Sequence, residues 1–147
     1  MTALYSLAVD AVLPAPAERV FAALTQPDLY SRWMGPEGST TAIREMDPVP
    51  GGRFAITVTL PNGFSVDIEG EYITVEPPTR LSHTWLVEGD DTETTVTIEL
   101  RPMGEGTQLV LVHDGFTEAT DRDQNDGGWR HQIDRLTALL EASSPIR

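Results

Sequence analysis

The sequence contains neither cysteine nor lysine among its 147 residues, so all of its basic residues apart from histidine are arginine. The absence of cysteine excludes disulfides, thiolate metal sites and cysteine nucleophiles. The absence of lysine excludes Schiff-base chemistry and the lysine of a Walker-type phosphate loop. The sequence also lacks a dinucleotide-binding fingerprint and a Gly-x-Ser-x-Gly turn. Several common enzyme mechanisms are therefore excluded.

Long apolar runs are missing as well. No segment approaches the roughly 18 apolar residues that a membrane-spanning helix needs. Residues 1–5 lack the basic and apolar regions of a signal peptide. We therefore expect a cytoplasmic protein that does not insert into a membrane.

Positive charge is scarce: 10 basic residues against 23 acidic ones give a formal net charge of -13. Such a surface repels phosphate backbones, so nucleic acid is not an expected partner. The negative charge either serves solubility or forms a docking face for a basic partner. An acidic cluster lies where the last predicted helix begins. It does not require a docking role, because acidic side chains at a helix N-terminus are stabilised by the helix dipole. This cluster consists of Asp114, Glu118, Asp121, Asp123 and Asp126.

Most of the chain alternates apolar and polar residues with a period of two, which predicts β-strands. Residues 3–13 form the first such segment, and six more follow between residues 41 and 113. Two short helices are predicted after the first strand, one over residues 17–25 and one that starts at Pro27. The later connections are short, so neighbouring strands should be antiparallel. Without repeats or linkers, residues 1–147 are predicted to form a single domain.

Two features of the strands carry specific backbone predictions. The segment 61–63 contains an Asn-Gly pair, typical of tight hairpins in which both central residues take positive φ. In the return strand, Phe64 and Ile68 share the apolar face that is predicted to point inward. The pattern then slips by one residue, so that Ile73 and Val75 take over the apolar positions. A slip without a turn predicts a bulge or bend near residues 70–73.

The last quarter of the chain has a different period. Trp129, Ile133, Leu136 and Leu140 recur at steps of four, three and four, which is the spacing of one face of an α-helix. This apolar stripe must be buried against the predicted sheet. Residues 127 and 128, directly before Trp129, are both glycine. Each glycine destabilises a helix by about 1 kcal/mol. We predict a thinned or kinked turn there, and the opening of any cavity beside it.

The order of these segments resembles a known family. The residues that carry the resemblance are Pro16-Ala17-Glu18-Arg19-Val20-Phe21, Ser31-Arg32-Trp33, Gly51-Gly52-Arg53-Phe54, Pro77-Pro78-Thr79-Arg80-Leu81, Thr84-Trp85, His113-Asp114-Gly115-Phe116 and Gly128-Trp129. Together they are similar to the activator of Hsp90 ATPase homologue 1-like (AHSA1-like) family of the START/Bet v 1-like, or SRPBCC, superfamily, over roughly residues 8–141.

The resemblance implies an α+β helix-grip fold of order β-α-α-β6-α. In this fold a curved seven-stranded antiparallel sheet wraps around a long C-terminal helix. Members of the superfamily typically hold an apolar ligand between sheet and helix, and many members of the family have no assigned activity. In the eukaryotic co-chaperone a separate N-terminal domain makes much of the chaperone contact. The length of this chain leaves no room for such a domain, so an Hsp90-type accessory role is the less favoured expectation.

The three tryptophans come from the predicted cap, sheet and helix, and could meet at one cavity. Tryptophan suits a pocket wall because it joins a large apolar surface to one N–H donor. The alternative is that all three are ordinary core residues. The residues predicted to line the cavity are Trp33, Phe54, Ile56, Tyr72, His83, Trp85, Leu111, His113, Phe116, Trp129 and Ile133.

His83 and His113 fall on the inward phases of their strands. An inward histidine can ligate a metal, move a proton or bind a ligand, but it can also simply hydrogen-bond to a neighbouring backbone or hydroxyl group. Zinc sites usually have three or four protein ligands, and the third histidine, His131, should face solvent. No metal and no cofactor is therefore expected. Arg53 could meet an acidic ligand group, with a solvated surface arginine as the alternative.

Three functions from different classes follow from these observations. The leading hypothesis is a non-enzymatic protein that binds a small apolar or aromatic molecule, or a lipid, between sheet and helix. The second is a cyclase-like or hydrolase-like enzyme in which His83, His113 and Tyr72 transfer protons. The third is a stress or chaperone accessory protein that binds a partner through its acidic face. A sheet edge or the helical cap could in addition support a homodimer.

Overall fold

The computed structural model describes residues 4–142, and the first predicted residue of the first strand, Ala3, lies outside this part. The order of elements is the predicted one, with two short helices inserted after the first strand and a long helix at the end. The elements are β1 (Tyr5–Leu13), α1 (Ala17–Thr25), α2 (Pro27–Trp33), β2 (Thr40–Met46), β3 (Arg53–Thr59), β4 (Ser65–Glu76), β5 (Arg80–Val87), β6 (Thr94–Met103), β7 (Gly106–Phe116) and α3 (Ala119–Ala142).

All strands belong to one antiparallel seven-stranded sheet of order β1-β7-β6-β5-β4-β3-β2. Strands β2 to β7 follow one another as a meander because each connection is too short for a crossover. Helices α1 and α2 carry the chain from β1 at one edge of the sheet to β2 at the other edge. The predicted helix-grip fold is confirmed.

The predicted bulge is present in β4. Tyr72 pairs with His83 and Thr74 pairs with Ser82, so Ile73 is the extra residue. Tyr72 precedes the bulge, keeps the inward phase of Ile68 and is 1% exposed, whereas Ile73 is 50% exposed. The prediction that Ile73 takes an inward apolar position is therefore wrong. A bulge changes which residues point inward, and a strict period of two cannot show where the change falls.

The β3–β4 hairpin differs from the prediction. Glycine alone has positive φ among the described residues, so Asn62 does not adopt it, whereas Gly63 has φ +89°. Leu60 and Phe64 close a three-residue loop, in which the Leu60 N–H donates to the Phe64 carbonyl at 2.8 Å. Pro61 explains the difference, since its fixed φ suits the first central position of an ordinary turn that ends in a left-handed glycine. Phe64, predicted to point inward, is 63% exposed at this loop.

Helix α3 buries the predicted stripe, since Trp129, Ile133, Leu136 and Leu140 are all at most 3% exposed. The helix packs against β1, β7, α1 and α2. It continues unbroken through residues 127–128, so the double glycine thins one turn of the helix without interrupting it. Within residues 4–142, no helix is long and apolar enough to cross a membrane.

Two arginines of α3 contact the backbone of the edge strand β1. Arg122 donates to the carbonyl of Ser6 at 3.1 Å, and Arg130 donates to the carbonyl of Ala8 at 3.5 Å. Each arginine also pairs with an aspartate of the helix at 2.7 Å, Arg122 with Asp123 and Arg130 with Asp126. Part of the acidic cluster therefore holds the arginines that join the helix to the sheet edge.

Candidate functional site

A continuous series of aromatic rings crosses the interior and connects the three tryptophans. Trp33 contacts Tyr30 at 4.9 Å between ring centroids, Tyr30 contacts Phe54 at 5.8 Å, Phe54 contacts Trp85 at 5.9 Å and Trp85 contacts Trp129 at 5.4 Å. The tryptophans are therefore joined by packed rings and do not surround one common void.

His113 lies at the centre of a fully hydrogen-bonded cluster. The Trp129 indole N–H donates to His113 Nδ1 at 2.9 Å, so the ring proton must be on Nε2. Nε2–H then donates to Thr94 Oγ1 at 2.6 Å, and the Thr94 hydroxyl donates to the Trp85 carbonyl at 3.1 Å. Burial, followed by the nearby His83, lowers the pKa of His113 to about 3. The ring is therefore neutral, and it ties α3 to β7, β6 and β5.

His83 has a simpler environment. Its Nδ1–H donates to the carbonyl of Thr84 at 2.9 Å, and its ring stacks on Phe54 at 4.6 Å. Burial lowers the pKa of His83 to about 4, although the bond to Thr84 partly opposes this shift. Both inward histidines are thus neutral core residues with hydrogen-bond partners.

Tyr30 and Tyr72 bring two polar atoms into the same core. Both phenol oxygens are buried, and neither has a hydrogen-bond partner among residues 4–142. Burial raises the pKa of Tyr30 well above its usual value, and the neighbouring Tyr72 adds to this. Burial and the charge of Asp47 likewise raise the pKa of Tyr72. Both hydroxyl groups are therefore protonated at neutral pH.

The open volume lies beside this core, between α3 and the sheet. Its first part, here called the apolar half, has a volume of about 240 Å³ and lies between β3, β4 and β5 on one side and α3 on the other. The residues that line the apolar half are Met34, Gly35, Pro36, Val58, Leu60, Val66, Ile68, Trp85, Val87, Gln124, Asn125, Gly128, Trp129 and Gln132.

The rim of the apolar half is attached to α3. The Gly35 N–H donates to Gln132 Oε1 at 2.8 Å, while Arg135 donates to the Gly35 carbonyl at 2.6 Å and to the Arg32 carbonyl at 3.1 Å. Gly35 has φ +97°, and a Cβ there would lie 2.6 Å from Ser39 Oγ. A residue with a side chain would therefore be strained at this position, and the rim is held in place.

A second open volume of about 190 Å³, here called the polar half, continues toward the β5–β6 loop and the start of α3. The two halves share Trp85, Val87, Gln124 and Asn125 as lining residues, so they lie side by side and are here called the two halves of one cleft. The polar half is lined by Trp85, Val87, Asp90, Thr92, Thr94, Phe116, Thr117, Asp121, Gln124 and Asn125.

The structure brings three of the predicted cavity residues to this cleft. Trp85 lines both halves, Trp129 lines the apolar half and Phe116 lines the polar half. The cleft also opens beside Gly128, where a Cβ would meet nothing within 4 Å, as the double glycine predicted. The other predicted residues are buried in the core and do not border the cleft; they are Trp33, Phe54, Ile56, Tyr72, His83, Leu111, His113 and Ile133.

The polar wall that α3 contributes to the cleft was not predicted from the sequence. Residues Gln124, Asn125 and Gln132 lie at helical spacing beside the apolar stripe, on the same side as Gly128. This spacing places them at the border between the buried and the exposed face, and it was the signal that could have identified them.

The remaining candidate residues do not form a reactive centre. Arg53 is about half exposed and pairs with Glu69 at 3.1 Å and Glu45 at 3.9 Å, so it is a surface arginine. Among residues 4–142, no group of three or more histidine, aspartate or glutamate side chains is placed to hold a metal ion.

Comparisons with known proteins agree with this architecture. The sequence model described as "Activator of Hsp90 ATPase homolog 1-like protein" matches residues 14–141. A solved structure from Chromobacterium violaceum is 27% identical, with 92% of this chain and 96% of that one covered and a TM-score of 0.88. A structure from Rhodobacter sphaeroides is 29% identical, with 95% and 93% covered and a TM-score of 0.84.

A protein from Silicibacter pomeroyi that carries the same family name is 22% identical, with 95% of this chain and 100% of that one covered and a TM-score of 0.86. At this identity the likeness shows the fold alone. No curated protein matches the chain.

Proposed function

The chain belongs to the activator of Hsp90 ATPase homolog 1-like family, and from this premise we propose that it binds a small, largely apolar molecule in the cleft between α3 and the sheet. Proteins with this family's fold commonly bind hydrophobic ligands. The observation that carries the proposal is the apolar half of the cleft, which opens beside Gly128 and Trp129.

The chemistry of the apolar half supports a ligand of this kind. Val58, Val66 and Ile68 present aliphatic side chains from the sheet, and Trp129 presents an aromatic ring from the helix. Each Å² of apolar surface that a ligand covers here contributes roughly 25 cal/mol. The volume of about 240 Å³ is small among ligand sites and suits a compact molecule.

Catalysis is not part of the proposal. The residues that motivated it, His83, His113 and Tyr72, are buried in the core and do not line the cleft. Both histidines are neutral and hydrogen-bonded to protein groups, and the Tyr72 phenol stays protonated. The chaperone-accessory role, the homodimer and the cytoplasmic location stay predictions.

Titration with N-phenyl-1-naphthylamine, a neutral apolar fluorophore, tests the proposal. We expect saturable fluorescence enhancement with one site per chain. Gly128→Leu places a side chain into the cleft and should weaken binding at least tenfold. The matched control is Gly127→Leu, because Gly127 lies on the same helical turn, has open space around it and does not line the cleft.

Two results would contradict the proposal. One is the absence of saturable binding by the unmodified protein. The other is equal loss of binding in both leucine variants, because that would attribute the effect to the helix and not to the cleft.

A further inference from the structure

The two halves of the cleft differ in chemistry, and this difference limits what the ligand can be. The apolar half is lined mainly by aliphatic and aromatic side chains, whereas most residues of the polar half carry hydroxyl, amide or carboxylate groups. Because the halves adjoin at Trp85 and Asn125, a single molecule that extends past these residues would contact both. We propose that the ligand is an organic cation, with its apolar body in the apolar half and its positively charged group in the polar half.

The charged groups around the polar half all have the same sign. Asp90 and Asp121 line it from the β5–β6 loop and from α3, and no arginine or histidine lines either half. Among residues 4–142, no basic side chain forms an ion pair with either aspartate. The neighbouring Arg122 is directed elsewhere, toward Asp123 and the carbonyl of Ser6. An anionic head group would therefore meet two carboxylates and no basic side chain.

The aromatic residues of the polar half add to this preference. Trp85 and Phe116 line it, and the faces of aromatic rings attract organic cations. Thr94 also lines it, but its hydroxyl is already bonded to Trp85 and His113. The charged group of the ligand is therefore received by the two carboxylates, the aromatic walls and the remaining hydroxyl and amide groups.

The charge of the whole chain acts in the same direction. A net charge of -13 raises the local concentration of cations and lowers that of anions near the surface. Fatty acids and phosphorylated molecules are thus disfavoured twice, by the protein as a whole and by the lining of the cleft.

This inference rests on the proposed function. Three probes that share a naphthalene ring and differ in charge test the inference separately from the proposed function: 1-naphthylmethylamine, 1-naphthalenemethanol and 1-naphthoate. Calorimetric titration at neutral pH should show the amine binding at least tenfold more tightly than the naphthoate, with the alcohol between them. The double variant Asp90→Asn, Asp121→Asn should weaken the amine about fivefold or more and leave the alcohol unchanged. Asparagine at position 90 keeps an oxygen for the Thr92 N–H, which Asp90 Oδ1 accepts at 3.1 Å.

The matched control is Asp91→Asn, Asp134→Asn, which removes the same charge from exposed positions of the same loop and the same helix, outside the cleft. It should leave the preference for the amine in place. Equal losses in the two double variants, or a naphthoate that binds as tightly as the amine, would overturn the inference. If the alcohol still binds and Gly128→Leu abolishes that binding, the proposed function survives this outcome. If none of the three probes binds but N-phenyl-1-naphthylamine does, the inference alone fails. If that fluorophore does not bind either, both proposals fail.

Discussion

Two regions of the same core treat buried polar atoms in opposite ways. Around His113, each of the ring nitrogens and the Thr94 hydroxyl has a hydrogen-bond partner at 3.1 Å or less. Around Phe54, the hydroxyls of Tyr30 and Tyr72 have no partner among the described residues. A satisfied buried hydrogen bond contributes about 1 kcal/mol, whereas an unsatisfied buried polar group costs about 1–3 kcal/mol.

The satisfied region is also the one that borders the cleft. Trp85, Thr94 and Trp129 take part in the hydrogen bonds around His113 and also line the open volume. The wall of the proposed ligand site is therefore held in one geometry before any ligand arrives, which lowers the entropic cost of binding. The tyrosine region lies away from the cleft, since neither Tyr30 nor Tyr72 lines the open volume.

Lowering the pH should cause the largest loss of stability, because both buried histidines resist protonation in the folded chain. Their pKa values are about 3 for His113 and about 4 for His83, below the ordinary value of 6.5. Below pH 6.5 the unfolded chain binds protons that the folded chain does not, so stability falls with falling pH until these folded values are reached. Each histidine removes about 1.4 kcal/mol per pH unit, or roughly 5 kcal/mol for both at pH 4.5.

Urea denaturation between pH 7 and pH 4.5 measures this loss. His113→Gln keeps an acceptor for Trp129 and a donor for Thr94 but cannot be protonated, so the pH dependence should become shallower, as it should for His83→Gln. His131→Gln, which changes an exposed residue of α3, is the control. An unchanged slope in both core variants would contradict the prediction.

Trp129→Phe should have the next largest effect, because it removes the indole N–H and leaves His113 Nδ1 without its donor. We expect a loss of about 2 kcal/mol in the free energy of unfolding. A double-mutant cycle with His113→Leu isolates the hydrogen bond from the packing of the ring. If the two single losses add up to that of the double variant, the predicted coupling does not exist.

Removing a hydroxyl in the tyrosine region should have the smallest effect, and the opposite sign. Tyr72→Phe and Tyr30→Phe each delete a buried oxygen without a partner, so each should stabilise the fold by about 1 kcal/mol. Tyr5→Phe, at a half-buried ring near Arg122, is the control and should change stability by less than about 0.5 kcal/mol. Destabilisation by both core variants would show that the two regions do not differ in this way.

Sequence periodicity predicted the helices and strands well, because the spacing of apolar residues reflects directly which face of each helix or strand is buried. The stripe from Trp129 to Leu140 has helical spacing and is buried, and the alternation in β3 and β6 matches their inward faces. The backbone around Asn62 and Ile73 was harder to predict. Pro61 fixes one φ angle in the hairpin, and a bulge in β4 reverses which side chains point inward; neither consequence follows from counting apolar residues.

The candidate site could be predicted only in part. The alternation of a strand predicts that a side chain such as Phe54 or His83 points inward. It does not predict whether that side chain packs against other side chains or borders open space. The cleft depends on the gap between α3 and the sheet, and this gap is set by tertiary packing. Gly128 was a local signal for it, because a missing side chain beside Trp129 leaves room on that face of the helix.

The arginine contacts at β1 have a consequence for how copies of this protein behave in a crowded solution. An edge strand offers unpaired carbonyl groups to which a strand of another molecule can add, and this is a common first step of aggregation. Arg122 and Arg130 occupy the carbonyls of Ser6 and Ala8, and they place two cations beside that edge. A strand arriving from another copy would have to displace both guanidinium groups, so helix α3 also limits the growth of the sheet beyond β1.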